Sequence, residues 1–244
     1  MKKLFKLFLL SAMPFASLVS CGEAENSITF DNYYEHICTV NKWTVTPELG
    51  DTFYRVDNMD RFDLNDGDRA KLVLRNYYNS EVTKFPEWTI HQVVEVIPAL
   101  DIVSKDAINA AEYNTYVTSI NSYKIGDQIS DDIWVWNNLQ NINVQFKGVK
   151  KDAKFALSVI GVEENCVNLQ LHIKADADGD TKSEKLLTFN LLSLEKALSP
   201  NDFALLSSYD KLKTKLFVNC ILPQTGVIKN IETPATEFEN PFKK

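Results

Sequence analysis

Histidine, cysteine and glycine are all scarce in this chain. There are only three histidines, His36, His91 and His172, spread over separate stretches. No HExxH, GxSxG or serine/histidine/aspartate pattern surrounds any of them, so no catalytic set is readable. Eight glycines in 244 residues leave no GxGxxG and no GxxxxGK[ST], which removes the phosphate-cradling loops of nucleotide chemistry. The four cysteines form no CxxC and no Cys/His spacing suited to zinc. Basic charge is also short, at 26 Lys and Arg against 33 Asp and Glu, net −7. Phosphate binding needs a basic stripe, so nucleic-acid binding is excluded as a class.

Long apolar runs are missing except at the start. Lys2, Lys3 and Lys6 form a basic head, and Leu4 to Val19 form an apolar stretch interrupted by Lys6, Ser11, Pro14 and Ser17. A spanning helix needs about 20 continuous apolar residues, so residues 1–20 read as a signal peptide. The stretch ends in Leu18-Val19-Ser20-Cys21, which resembles the lipobox of bacterial lipoproteins. That resemblance implies cleavage before Cys21 and acylation of its thiol and new amine. Several fatty chains, palmitate among them, give stable anchoring where one gives only marginal binding. An ordinary signal peptide followed by a chance cysteine is the competing reading. Gly22 follows the cysteine rather than Asp, so the inner-membrane retention signal of enteric bacteria is absent. The expectation is an exported protein held at the outer membrane through Cys21, with the face left open.

Loss of residues 1–20 removes three lysines and no acids, leaving 224 residues at net −10. Three cysteines remain, Cys38, Cys166 and Cys220. The alternation Val167/Leu169/Leu171/Ile173 turns Cys166 away from the core, while Cys220 follows Leu216 and Val218 inward. No structural disulfide is therefore expected.

The dominant period is two, the signature of an all-β chain. A first series of strands covers Tyr33–Val45, Thr52–Val56, Ala70–Tyr78 and Trp88–Ile97, enough for a small barrel or half-barrel. Asn65-Asp66-Gly67-Asp68 carries the Asp-Gly pair favoured at positive φ and turns the chain into the third strand. Ser104 fits the N-cap of a short helix over Lys105–Glu112, and polar residues from Asn121 to Asp132 suggest a domain boundary. A second series covers Ile133–Trp136, Asn143–Phe146, Lys154–Ile160, Val167–Lys174, Lys185–Leu191 and Lys213–Ile221, and six strands with one apolar face each predict a sandwich. Ser199-Pro200-Asn201-Asp202 opens a second short helix, with proline at its first position, running to Tyr209. The expected layout is a signal peptide (1–20), a linker (21–29), an N-terminal domain (30–122), a C-terminal β-sandwich (123–231) and a loose charged tail (232–244).

Candidate sites are few. Trp134 and Trp136 share one face of a strand and suit stacking on a sugar or contact with a partner protein, against a competing role in core packing. Tyr77 and Tyr78, with Phe85 and Trp88, form a second aromatic group. His91 and His172 alternate with apolar neighbours and are expected to face solvent. Asp176, Asp178 and Asp180, with Glu184 beyond, offer oxygens to calcium, but Gly179 stands at the fourth loop position where an EF-hand has it sixth. An Asp-Gly hairpin turn accounts for the loop without a metal, so no metal and no cofactor is expected.

The order and spacing of several segments resemble the NigD-like lipoproteins. They are the lipobox at Cys21, Leu64-Asn65-Asp66-Gly67-Asp68 leading into Leu72-Val73-Leu74, and Val93-Val94-Glu95-Val96-Ile97 running into Val103-Ser104-Lys105-Asp106. In the second half they are Asp131-Asp132-Ile133-Trp134-Val135, then Leu139 through Phe146, then Leu169-Gln170-Leu171-His172-Ile173. The resemblance covers most of residues 30–222 and implies an OB-like N-terminal domain joined to a C-terminal β-sandwich, with a role akin to bacteriocin immunity. It supplies no catalytic residue, and Leu192–Tyr209 is longer than the family's usual connection. The expected function is a non-enzymatic envelope protein that binds a protein or glycan. The alternatives are a structural envelope component or a glycan- or peptide-acting enzyme. Nothing in the sequence fixes the oligomeric state.

Overall fold

The computed structural model describes residues 29–48, 53–81, 87–109, 112–113, 115–121, 124–125, 128–129, 132–149, 153–176, 181–221 and 227–243. Cys21 and the signal segment lie outside them, as do Asp178, Asp180 and Phe85. The chain is all-β, with two short helices and a few 3-10 turns among the described residues.

The first sheet contains β1 (Thr29–Asn41), β2 (Thr44–Pro47), β3 (Tyr54–Arg55), β4 (Arg69–Asn79) and β5 (Glu87–Val96) in the order β3-β2-β1-β4-β5. Alternation in β1 and β4 sends Cys38, Val40, Leu72 and Leu74 to one face, where they bury with Val45, Val56 and Ile90. Two register shifts between β4 and β5, at Lys71/Leu72 and Val73/Leu74, insert extra residues. Such bulges increase the local twist and curl the sheet over its own core. Gly67, at φ +91°, makes the expected turn into β4, and its amide donates to the Val40 carbonyl at 2.8 Å.

The second body contains β6 (Ala99–Ser104), β7 (Val117–Ile120), β10 (Ile133–Trp136), β11 (Leu139–Lys147), β12 (Lys154–Glu163), β13 (Cys166–Lys174), β14 (Lys182–Asn190), β15 (Lys211–Ile221), β16 (Ile228–Glu232) and β17 (Thr236–Glu239). A two-residue pair, β8 (Lys124–Ile125) and β9 (Gln128–Ile129), stands apart. The path β11-β14-β6-β12-β13-β15 returns to β11 through β7, which pairs with both β15 and β11. Five strands of the second series, with β6 and β7, thus close into a seven-strand barrel. Its interior is filled by Ile142, Val144, Phe146, Leu157, Leu169, Phe189 and their neighbours, each fully buried. Burial of each such side chain contributes roughly 1.5–3 kcal/mol. Helices α1 (Leu194–Ala197) and α2 (Pro200–Leu206) add Leu194 and Leu206 to the same core. Ser199 accepts from the Asp202 amide with Pro200 at the first helical position, as its sequence predicts.

Four differences from the sequence reading have physical causes. Strands β6 and β7, placed before the expected boundary near 122, pair within the second sheet, so sheet membership changes at Ile97-Pro98. Where a helix is expected over Lys105–Glu112, the described residues hold a 3-10 turn, Lys105–Ala107, with no side-chain cap from Ser104 and extended backbone at Ile108. No apolar stripe in that segment repays the cost of nucleating a helix. The tail after 232 is not loose. Glu237 faces Lys211 and Lys213 across the β15/β17 ladder, Phe238 is buried, and Asn240 donates to the carbonyls of Leu206 and Tyr209. His172, expected to face solvent, is half-buried against Ser158 and Tyr113.

Candidate functional site

The two bodies meet where the outer face of β1 and β4 lies on β10 and β14. Ile37, Ile97 and Trp134 are buried there, with Trp136 and Leu186 packed against them. At the centre is an ion pair with no exposure to speak of: the Arg69 side chain is 3% exposed and that of Glu48 0%. Arg69 Nε donates to Glu48 Oε1 and Nη2 to Oε2 at 2.9 Å, a bidentate fork. Arg69 Nη1 donates to Thr188 Oγ1 at 2.5 Å, Thr188 donates to Asn141 Oδ1 at 3.0 Å, and Trp134 Nε1 donates to Glu48 Oε2 at 3.4 Å. The Arg69–Thr188 bond joins residues 119 positions apart in sequence and ties the first sheet to β14 of the barrel. A buried pair repays its desolvation only when the remaining donors and acceptors are satisfied, and this network supplies those partners.

Beside this weld lies a cleft of about 400 Å³, within the range of ligand pockets and at the domain interface where such pockets concentrate. Its floor is apolar, with Leu100, Phe155 and Leu187, and its rim carries Glu95 from the first sheet and Lys154 and Lys185 from the barrel. Phe155 packs edge-to-face on the buried Phe146, so the floor is continuous with the barrel core. Lys185 Nζ stands 5.2 Å over the Phe155 ring.

A second, wider groove of about 710 Å³ lies on the outer face of β12 and β13, lined by Lys105, Asp106, Ile108, Ser158, Ile160, Gln170 and His172. Ser158 Oγ is 2.9 Å from His172 Nε2. Burial holds the imidazole below its ordinary pKa, so it is neutral at pH 7. A nucleophile and base of this kind need a third group to orient the imidazole. Tyr113 packs edge-on to the ring at 5.6 Å, and Asp106 makes no hydrogen bond to it among the described residues. The pair is chemically a buried serine satisfied by a neutral histidine.

The sequence candidates do not converge. Trp134 is buried in the junction and Trp136 is half-buried beside it, so both take the packing role. Tyr77 sits 5.3 Å from the Arg75 guanidinium on one face of β4, while Tyr78 stacks on Phe30 on the other. Asp176 is exposed, Asp178 and Asp180 lie outside the described residues, and no metal-ready group of three acids, histidines or cysteines occurs among the described residues. Cys38 and Cys220 are buried and Cys166 is half-buried, all as thiols. The reading by sequence missed Glu48, Arg69 and Thr188, as well as Glu95, Lys154 and Lys185. The local signal was Arg69 standing at the head of a strand whose Ala70, Leu72 and Leu74 mark an apolar face.

No protein-family model matches the chain, and a search of curated proteins returns no significant match. Solved structures share its fold. A NigD-like immunity protein from Bacteroides caccae aligns over 85% of this chain and 96% of its own, at TM-score 0.54 and 12% identity. A protein from Bacteroides fragilis described as a lipoprotein aligns over 86% and 99%, at TM-score 0.56 and 17% identity. One from Parabacteroides distasonis described as toxin-related aligns over 86% and 96%, at TM-score 0.56 and 13% identity.

Proposed function

We propose that this chain is a non-enzymatic envelope lipoprotein, anchored at the outer membrane through Cys21, that holds a partner at the cleft between its two β bodies in a role of the immunity type. The observation that carries the reading is the welded junction. A buried ion pair fixes the two walls of a ligand-sized cleft, and that cleft combines an apolar floor with charged rims, the composition of a binding site. The signal segment, the lipobox and the names carried by the fold's relatives support the cellular setting.

Two experiments test it. In a bacterium fed labelled palmitate, Cys21→Ala should lose the label and leave the membrane fraction. Retention of both would end the anchoring part. In cross-linked envelopes the protein should enrich a partner, and Leu100→Trp, which fills the cleft, should lose it. A partner captured equally by both forms would remove the cleft from the reading.

A further inference from the structure

Among the described residues the cleft offers a ligand no vacant strand edge. The registers of β6 with β12 and β14 place residues 99–101 beside 154–156 of β12 and residues 96–98 beside 185–187 of β14, so β6 fills the space between those edges. Pro98, which lines the cleft, brings no N–H. Among the uncharged lining residues only Thr188 and Tyr113 carry hydroxyls, and that of Thr188 is taken up by Arg69 and Asn141. A peptide laid on this floor would bury backbone amides without partners, at a cost comparable to lost hydrogen bonds. An acyl chain carries no such groups, and Ile97, Leu100, Phe155 and Leu187 give it an apolar surface.

The charge of the site lies on its rim, and the charge left unanswered there is positive. Lys154 and Lys185 line the cleft, and the β12/β13 register sets Lys174 directly opposite Lys154. None of these three lysines is ion-paired among the described residues. Like charges directly opposite each other on a sheet are destabilising, so an arriving anion relieves the pair. Lys185 Nζ stands over the Phe155 ring, beside the apolar floor itself, and faces Val144 rather than an acid across its ladder. Its neighbour Glu184 is turned away to Asn143 and Gln145. Glu95, the acid of the rim, stands opposite Lys71 in the β4/β5 register, so its charge meets a cation within its own sheet.

We propose that the cleft binds a free fatty-acid carboxylate of medium chain length. The acyl chain lies on Leu100, Phe155 and Leu187, and the carboxylate accepts charge-assisted hydrogen bonds from Lys154 and Lys185. This inference rests on the cleft being the binding site and adds the chemistry of its occupant.

The test uses the full chain in phosphatidylcholine nanodiscs, with empty nanodiscs as the blank, and carboxyl-labelled octanoate, a probe short enough to stay monomeric. Its carboxyl resonance should shift saturably on titration with the protein, and no shift would overturn the proposal. Each methylene laid on the floor tightens binding about fourfold, the equivalent of about 0.8 kcal/mol, so butyrate should bind roughly fiftyfold or more weakly than octanoate. Equal binding of butyrate would overturn the acyl-chain argument. Lys154→Met/Lys185→Met should weaken octanoate about tenfold or more, with an unchanged unfolding midpoint. Octanol displacing octanoate at equal concentration would overturn the charge argument. Tighter binding of N-acetyl-leucyl-glutamate than of octanoate would assign the cleft to a peptide instead. Leu100→Trp should abolish octanoate binding, and undiminished binding would put the probe elsewhere and overturn the proposal. If Leu100→Trp abolishes partner capture from envelopes while octanoate never binds, the occupant is wrong and the cleft reading stands. If neither responds, both fall.

Discussion

At the scale of single residues, the Glu48–Arg69 pair makes the sharpest claim. Glu48→Gln or Arg69→Met alone leaves one buried charge without its partner and should cost about 3–5 kcal/mol in urea unfolding, whereas Glu48→Leu/Arg69→Met together should recover most of that loss. Cys38 is a second case. Burial, and then the nearby Glu48 carboxylate, push its thiol up to about 12, so it should resist thiol reagents in the folded protein and react only on unfolding. Faster labelling of Cys38 than of half-buried Cys166 would contradict its placement. His36 and His172 are both held below the ordinary value of 6.5, in each case chiefly by burial. The unfolded chain therefore binds more protons than the folded one once pH drops below about 6.5. Stability is full above that point and is lost as pH falls toward the depressed folded values. His36→Gln/His172→Gln should flatten this part of a stability–pH curve, as measured by denaturant midpoints.

At the scale of elements, strands that alternate cleanly were legible and strands that do not were missed. In β13, Val167, Leu169, Leu171 and Ile173 mark the inward face without ambiguity, and the predicted strand ends on the same residue as the observed one. In β11, Asn141 and Asn143 look solvent-facing by pattern, yet both are fully buried because the outer face of that strand lies under the junction. Strand β6 is six residues long and borrows its neighbours from strands more than fifty positions away, so no local pattern announces it. The tail was misread because charge was taken for solvation. Its acids are placed against the alternating lysines of β15, and Phe238 supplies the burial. Phe238→Ala should therefore cost about 3 kcal/mol or more in unfolding, where a loose tail would show no effect.

At the scale of the whole molecule, the junction makes two β bodies behave as one. Its residues come from β1, β4, β10, β11 and β14, from the end of β2 and from the β5–β6 link, which is why the site was not legible: it exists only after both sheets have formed. The apolar and polar halves of the weld unfold together or not at all, so the intact protein should melt in one calorimetric transition, and Arg69→Met should split it into two. The β1–β4 ladder has a further consequence. Eleven consecutive residue pairs, from Thr29↔Asn79 to Thr39↔Arg69, run from the N-terminal end of β1 to the weld. A pull between membrane and bound partner would run along these strands and load their rungs in parallel, as shear, rather than one after another as a zipper. Were the proposed anchor at Cys21 and the proposed partner in the cleft both engaged, the first sheet would be a strap under tension, with the bonds that give it its fold aligned to bear the load.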